Sequence, residues 1–177
     1  MDLESIMQGG WPDLTEFASA ESAEREEIID ALIYNASLLQ VTNTLICRHV
    51  AIAALQLLDA HPDRAAFHDL RRMQIMSLLT SASMRLDEDD DARRYCEEVL
   101  RGPSGPEFTY IRRVAASNYA ILLQDSDPAR AEQLLRESLS EARAVGESIS
   151  PVSVTLGSLL RRRGEVERHG WLRSATG

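Results

Sequence analysis

The sequence predicts an all-α protein made of antiparallel helical hairpins stacked one against the next, and three observations lead to this fold class. Ala, Leu, Glu and Arg dominate the composition and aromatic residues make up 5 % of it, a mixture that favours helices. Apolar residues recur three and four positions apart along the chain, without the alternation typical of strands. Small residues followed by apolar pairs recur at a nearly constant spacing, which indicates a repeat.

Length and composition limit the class of protein. With 177 residues, 44 % of them hydrophobic and 27 % charged, the chain suits one globular domain with a sizeable core. No apolar run approaches the roughly 20 residues of a membrane span. The acidic N-terminus lacks the basic-then-apolar layout of a secretory signal. We therefore expect a cytoplasmic protein without membrane contact, in which Cys47 and Cys96 are small buried hydrophobes.

The charge is unevenly distributed along the chain. Residues 1–30 contain nine acidic residues and one arginine, so they contribute −8 of the net charge of −9. The C-terminal tail is basic, with three consecutive arginines at 161–163. Because phosphates are bound by clustered cations, an acidic chain binds nucleic acid poorly. We expect no direct nucleic-acid contact.

The N-terminal segment, residues 1–20, is the least regular part of the sequence. Gly9-Gly10 interrupts any helix, and Trp11-Pro12-Asp13 is typical of a helix start. Leu14 and Phe17 then mark one short apolar face. We interpret this segment as a cap over the open end of the core, and docking elsewhere through the tryptophan is the alternative.

The remaining residues, 21–177, form the predicted repeat domain. Its helices are predicted over residues 22–40, 45–58, 64–86, 92–101, 107–124, 128–145 and 150–163, with a short last segment ending near Trp171-Leu172. Ser22 is a suitable N-cap, and the helix ends coincide with breakers such as His61-Pro62, the Gly102–Pro106 stretch and Gly146. The helices pair into four predicted hairpins, at about 22–62, 64–101, 107–146 and 150–173.

One small residue marks an equivalent position in three of these hairpins. Ala54, Ala92 and Ala131 are separated by 38 and 39 residues, and each is predicted to lie early in a second helix. The apolar pairs three and four positions later are Leu57/Leu58, Tyr95/Cys96 and Leu134/Leu135. Helices approach closely only where side chains are small, and large neighbours then fill the groove. These alanines are therefore predicted at the contact between paired helices.

Two stretches, Leu156–Gly164 and Asn118–Leu139, carry a family resemblance. With the Asp-Pro-Ala-Arg-Ala turn at 127–131, they resemble the tetratricopeptide repeat. The resemblance covers residues 64–172 well and 22–62 loosely, with a period longer than that family's usual 34 residues. It implies a right-handed α-solenoid whose first helices line a concave surface. The helix end at Glu141–Gly146 is similar to repeats in bacterial multidomain regulators.

The resemblance also implies which residues bind a partner protein or peptide. The residues carried over to the concave face are Ile75, Leu78, Ala82 and Arg85, then Val114, Ser117, Asn118, Ile121 and Gln124, then Val154, Ser158 and Arg161. Family members that clamp a peptide's terminal carboxylate use Lys and Asn at set positions. The chain has no Lys, which argues against that mode, although the arginines at 85 and 161 could supply charge.

The sequence offers no persuasive catalytic or metal motif. Asp87–Asp91 and Glu98 match part of an EF-hand loop, but Ala92 occupies the position where the sharp turn needs Gly. The acidic run instead suits a helix N-terminus, where carboxylates favour the dipole. No nucleophile motif, P-loop or dinucleotide fingerprint is present. We predict no enzymatic activity and no cofactor.

These observations favour a non-enzymatic adaptor or scaffold that binds a partner peptide or helix in the groove of the repeat array. Two other classes remain open. One is a sensor or oligomerisation segment of a bacterial transcription regulator, which allows a homodimer. The other is a chaperone for a secreted protein, compatible with the small size and low pI.

Overall fold

The fold is known from a computed structural model that describes residues 22–60, 66–146 and 150–162, and every regular element in these ranges is an α-helix. The helices are α1 (Ser22–Thr42), α2 (Thr44–Asp59), α3 (Ala66–Arg85), α4 (Asp89–Arg101), α5 (Pro106–Leu123), α6 (Pro128–Ala144) and α7 (Ser150–Arg162). The predicted all-α class is confirmed. The predicted N-terminal cap, residues 1–20, and the last segment near Trp171-Leu172 lie outside the described residues.

Local capping explains where several helices begin. The side chain of Asn43 accepts a hydrogen bond from the Ile46 amide at 3.2 Å, so one residue separates α1 from α2. The predicted interruption at Val41–Thr44 is therefore shorter than expected. Asp127 caps α6 in the same way, accepting from the Arg130 amide at 3.0 Å, and proline follows in the first turn as predicted.

The acidic run between α3 and α4 belongs largely to a helix. Asp87 has a positive φ of 58° and turns the chain, and α4 then begins at Asp89, three residues earlier than predicted. Three aspartates occupy its first turn, where carboxylates are stabilised by the helix dipole. Ala92 belongs to this helix and is fully buried, so it does not form the sharp turn that a calcium-binding loop needs at this position.

The chain separates into two compact units, Met1–Glu88 and Asp89–Gly177, which we call unit 1 and unit 2. In unit 1 the helices α1, α2 and α3 each pack against the other two. In unit 2 the helix α5 packs against α4, α6 and α7, and α6 also packs against α7. The division falls between the two helices of the predicted 64–101 hairpin, and the repeat boundaries stay a prediction.

Charged contacts join the helices of unit 1. Arg71 on α3 is 4 % exposed and donates two hydrogen bonds of 2.6 Å, from Nε and Nη2, to the two carboxylate oxygens of Asp30 on α1. Glu26 adds a second carboxylate at 3.8 Å. One turn before Arg71, His68 donates a 2.7 Å hydrogen bond from Nε2 to the Leu58 carbonyl of α2. The planar guanidinium of Arg71 is suited to its two-pronged contact with Asp30.

An apolar cluster joins three helices of unit 2. Its buried members are Ala120 on α5, Ala131, Leu135 and Leu139 on α6, and Val152, Leu156, Leu159 and Leu160 on α7, with Leu123 packed against them. The contacts between α4 and α5 are more polar. Tyr119 donates to Glu97 at 2.6 Å, while Arg112 donates to the Leu100 carbonyl at 2.9 Å. Because these contacts run in reverse order along the two helices, α4 and α5 are antiparallel.

The small packing residues lie where the repeat predicts them in two of three cases. Ala92 and Ala131 are the fourth residues of α4 and α6, and both are fully buried. Ala54 is also buried but lies in the second half of α2, so its predicted place early in that helix is wrong. The fourth residue of α2 is Cys47, which is fully buried. A thiol is small enough to take the place of alanine there.

Candidate partner-binding surface

The predicted surface residues of α5 lie on the exposed side of that helix. Val114, Ser117, Asn118, Ile121 and Gln124 form what we call the α5 stripe. Ile121 is 41 % exposed and the other four residues are partly exposed, although the hydroxyl oxygen of Ser117 is buried. Their spacing of three and four residues keeps them on one side of the helix. The buried residues of α5 occupy the rest of its circumference; they are Phe108, Thr109, Ile111, Arg113, Ala115, Ala116 and Ala120.

The predicted residues of α7 also face away from the core. Val154, Ser158 and Arg161, which we call the α7 stripe, are all exposed. The opposite side of this helix carries the valine and three leucines that enter the apolar cluster. Since α5 and α7 pack against each other and share that cluster, the two stripes lie on neighbouring helices.

The candidates in unit 1 behave differently. Ile75 and Ala82 are almost completely buried, and Leu78 is 8 % exposed, so these three are interior residues and present no side-chain surface to a partner. The part of α3 that is not buried is mostly polar, with Gln74, Ser77 and Ser81 on one side, so this helix has no outward apolar stripe. Arg85 is exposed, in the last turn of that helix.

Tyr110 is a surface residue that the sequence analysis missed. Its side chain is 60 % exposed, and it precedes Val114 by four residues, so it extends the α5 stripe by one turn. The guanidinium carbon of Arg113 lies 5.2 Å from the centroid of its ring. This is within range of a cation–π interaction, which holds the ring over a buried cation. The spacing from Val114 was the signal that could have identified it.

The two stripes combine apolar, amide and cationic groups. Val154 is 63 % exposed and Ile121 is 41 % exposed, which leaves two branched aliphatic side chains in solvent. The side chain of Asn118, on the same stripe as Ile121, offers both a hydrogen-bond donor and an acceptor. Arg161 and Arg162 add two exposed cations at the end of α7. The chemistry available is therefore apolar contact, amide hydrogen bonding and recognition of a carboxylate.

The phenol of Tyr119 anchors α5 rather than facing a partner. It lies almost opposite the α5 stripe and donates to Glu97 of α4. Burial, and then the hydrogen bond to that carboxylate, raise its pKa to about 12. The phenol therefore stays protonated across the physiological range and keeps the side of α5 that carries the stripe turned outwards.

The described residues also bear on three other kinds of site: metal sites, reactive thiols and membrane spans. Within it, no three or more His, Cys, Asp and Glu side chains are grouped so that they could hold a metal ion. Cys47 and Cys96 are both buried thiols, as predicted. Burial raises the pKa of Cys47. Among the helices in these ranges, none is both long and apolar enough to cross a bilayer.

Similarity to known proteins adds nothing to this geometry. No family model, no curated protein and no solved structure matches the chain.

Proposed function

We propose that this protein is a non-enzymatic interaction module that binds a segment of a partner protein on the outer side of α5 and α7. The observation that carries the proposal is the pair of stripes in unit 2. There, Tyr110, Ile121 and Val154 leave apolar side chains in solvent beside an amide and two arginines. Recognition surfaces combine apolar anchors with a few polar groups in this way, whereas a solvated helix face is polar throughout.

The tetratricopeptide-like arrangement is part of the same proposal. Its support is the packing order in unit 2, where α5 contacts both the following helix and the one after it. Successive first helices of such an array would contact each other in this manner. The partner segment would then lie across α5 and α7 at the same time.

The exposed groups indicate the chemistry of the partner. Apolar side chains of the segment would cover Ile121 and Val154, and an acidic group would pair with Arg161. Asn118 would hydrogen-bond a backbone amide, as polar side chains do when they hold a peptide. We therefore propose a short segment with aliphatic or aromatic residues and at least one carboxylate.

Selection from a displayed peptide library tests this proposal. The intact chain is immobilised, and the enriched peptides are measured by titration against the wild type, Ile121→Asp and Arg161→Glu. We expect both variants to weaken binding at least tenfold, since one puts a charge among the apolar contacts and the other reverses a cation. Circular dichroism checks that helicity is unchanged.

Ser140→Asp is the matched control, because Ser140 is exposed on α6 and outside both stripes. Its affinity should equal that of the wild type. Enriched peptides that bind Ile121→Asp and Arg161→Glu with wild-type affinity would show that these stripes are not the binding surface.

A further inference from the structure

A second apolar surface lies in unit 1, on the opposite side of α1 from its buried residues. Ala31, Tyr34, Leu38 and Val41 are all exposed, and we call them the α1 seam. Leu38 is 57 % exposed and Val41 is 73 % exposed, more than most aliphatic side chains of the described residues. Leu45, at the start of α2, is a further exposed leucine close to the end of the seam.

The spacing of the seam is that of helices that pack side by side. Its members are separated by three, four and three residues, which alternates as the two apolar positions of a heptad do. Residues with this spacing form a narrow apolar line along one side of a helix. The opposite side of α1 carries the buried Ile29, Leu32 and Ala36. The helix is therefore apolar on two sides, and the described residues of the chain cover only one of them.

The charge pattern identifies what could cover the other side. Residues 31–47 contain no Asp, Glu or Arg, and this is the longest uncharged run in a chain of which 27 % is charged. A chain with a net charge of −9 repels a second copy of itself over most of its surface. Residues 31–41, which contain the seam, carry no charge, so two copies that meet along the seam place no like charges of these residues against each other.

Charge also selects the direction in which two seams can meet. Glu27 is exposed and lies on the line of the seam, one helical turn before Ala31. In a parallel arrangement the two Glu27 carboxylates would lie side by side, and like charges at that separation are unfavourable. In an antiparallel arrangement they lie at opposite ends, and Tyr34 of one copy faces Leu38 of the other.

We propose that the α1 seam is a self-association surface through which two copies of this chain form an antiparallel, two-fold symmetric dimer. The contact is isologous, since the same residues contribute from both copies. Its residues all belong to unit 1, and none of them is shared with the partner-binding surface on α5 and α7. A single helix crossing covers less than the roughly 800 Å² per partner of a standard interface. The dimer is therefore in exchange with monomer and dissociates on dilution.

Sedimentation velocity of the full chain over a range of concentrations measures this equilibrium. We expect the mass to rise from the 19.7 kDa of one chain towards twice that value as the concentration increases. Raising the salt from about 0.05 M to about 0.5 M should strengthen association, because it screens the repulsion between two acidic chains. A chain that stays monomeric at every concentration overturns the proposal.

Substitutions assign the contact to the seam. Leu38→Glu and Val41→Glu each place two carboxylates in the apolar contact of the dimer, and both should shift the dissociation constant at least tenfold towards monomer. Both residues are exposed, so the fold should survive, and circular dichroism checks this. Ile121→Asp, on the α5 stripe, is the control and should dimerise as the wild type does. Dimerisation that is lost in the control and kept in both seam variants overturns the proposal.

Cross-linking gives a test that does not depend on affinity. Both native thiols are buried, so an added surface cysteine is the reactive one in the folded chain. Leu38→Cys treated with a short bis-maleimide should give a covalent dimer, while Ser140→Cys on α6 should not. A covalent dimer with both variants in equal yield, or with neither, contradicts the two-fold seam.

Discussion

Both units bury apolar side chains between their helices, and unit 1 adds a buried arginine that is paired with two carboxylates. This arginine, Arg71, connects α3 to α1. In unit 2 three helices meet in a cluster of alanine, valine and leucine side chains. Salt screens ionic contacts, whereas it does not screen the burial of apolar surface. We therefore expect the two units to respond differently to the same perturbations.

The exposed apolar surfaces of the two units also differ in the charged and polar groups that they contain. The α1 seam of unit 1 has no charge, which suits contact with an identical surface. The stripes of unit 2 place an amide and arginines among apolar residues, which suits a partner of different chemistry. This difference in chemistry is why we propose the first surface for self-association and the second for recognition of a different partner.

The largest effect is expected from a cavity in the cluster of unit 2. Leu135→Ala removes a fully buried side chain from the centre of α6 and should destabilise by about 3 kcal/mol. Urea unfolding followed by circular dichroism measures the change. Gln133→Ala, exposed two residues earlier, should change the free energy of unfolding by less than about 0.5 kcal/mol. Equal effects would contradict the assignment of the cluster as the core.

Overpacking tests the same cluster from the opposite direction. Ala131 is fully buried early in α6, and leucine there has to displace neighbouring side chains. Ala131→Leu should destabilise by about 2 kcal/mol. An unchanged melting temperature would show that α6 has free space at this point, and the close approach predicted from the repeat would be wrong.

The ionic contact of unit 1 should give a smaller effect. Arg71→Ala removes the buried guanidinium but leaves Asp30 and Glu26 partly exposed, so solvent can rehydrate them. We expect a loss of about 1–2 kcal/mol. Because screening weakens the pair in the wild type, the loss should shrink in 0.5 M salt. The loss caused by Leu135→Ala should not. A salt-independent loss for both variants would remove the contrast between the units.

The smallest effect is expected from the polar contact of unit 2. Tyr119→Phe removes the hydrogen bond to Glu97 and should cost about 1 kcal/mol at neutral pH. Because folding raises the pKa of the phenol from 10 to about 12, this contribution is complete below pH 10 and is lost as the pH rises through 12. The stabilities of wild type and variant should therefore converge over that interval. Parallel profiles would show that the phenol does not titrate as its surroundings imply.

Helix positions were largely predictable because their signals are local. The prolines, glycines and capping residues that end each helix act on backbone within one turn, so the predicted bounds differ from the observed ones by only a few residues. The start of α4 was placed too late because an acidic run reads equally well as a turn. The α5 and α7 candidates came from the resemblance to the tetratricopeptide repeat, and the structure places them on the less buried side of their helices.

The remaining features depend on contacts between residues distant in sequence. Arg71 would be read as a surface cation until Asp30, 41 residues earlier, is placed beside it. Ile75 and Leu78 were predicted at a surface, but both lie on the buried side of α3, which contacts α1 and α2.

The sequence by itself determined the helical class, the helix ends and the periodicity of each helix, because these arise from backbone capping and side-chain spacing. Which apolar side of a helix is covered depends on its neighbours in space. On α1 the sequence shows two apolar sides, and only tertiary packing buries the one with Ile29 and exposes the one with Leu38. Cys47, the fourth residue of α2, is buried as Ala92 and Ala131 are at the fourth positions of their helices, and that burial again comes from neighbouring helices.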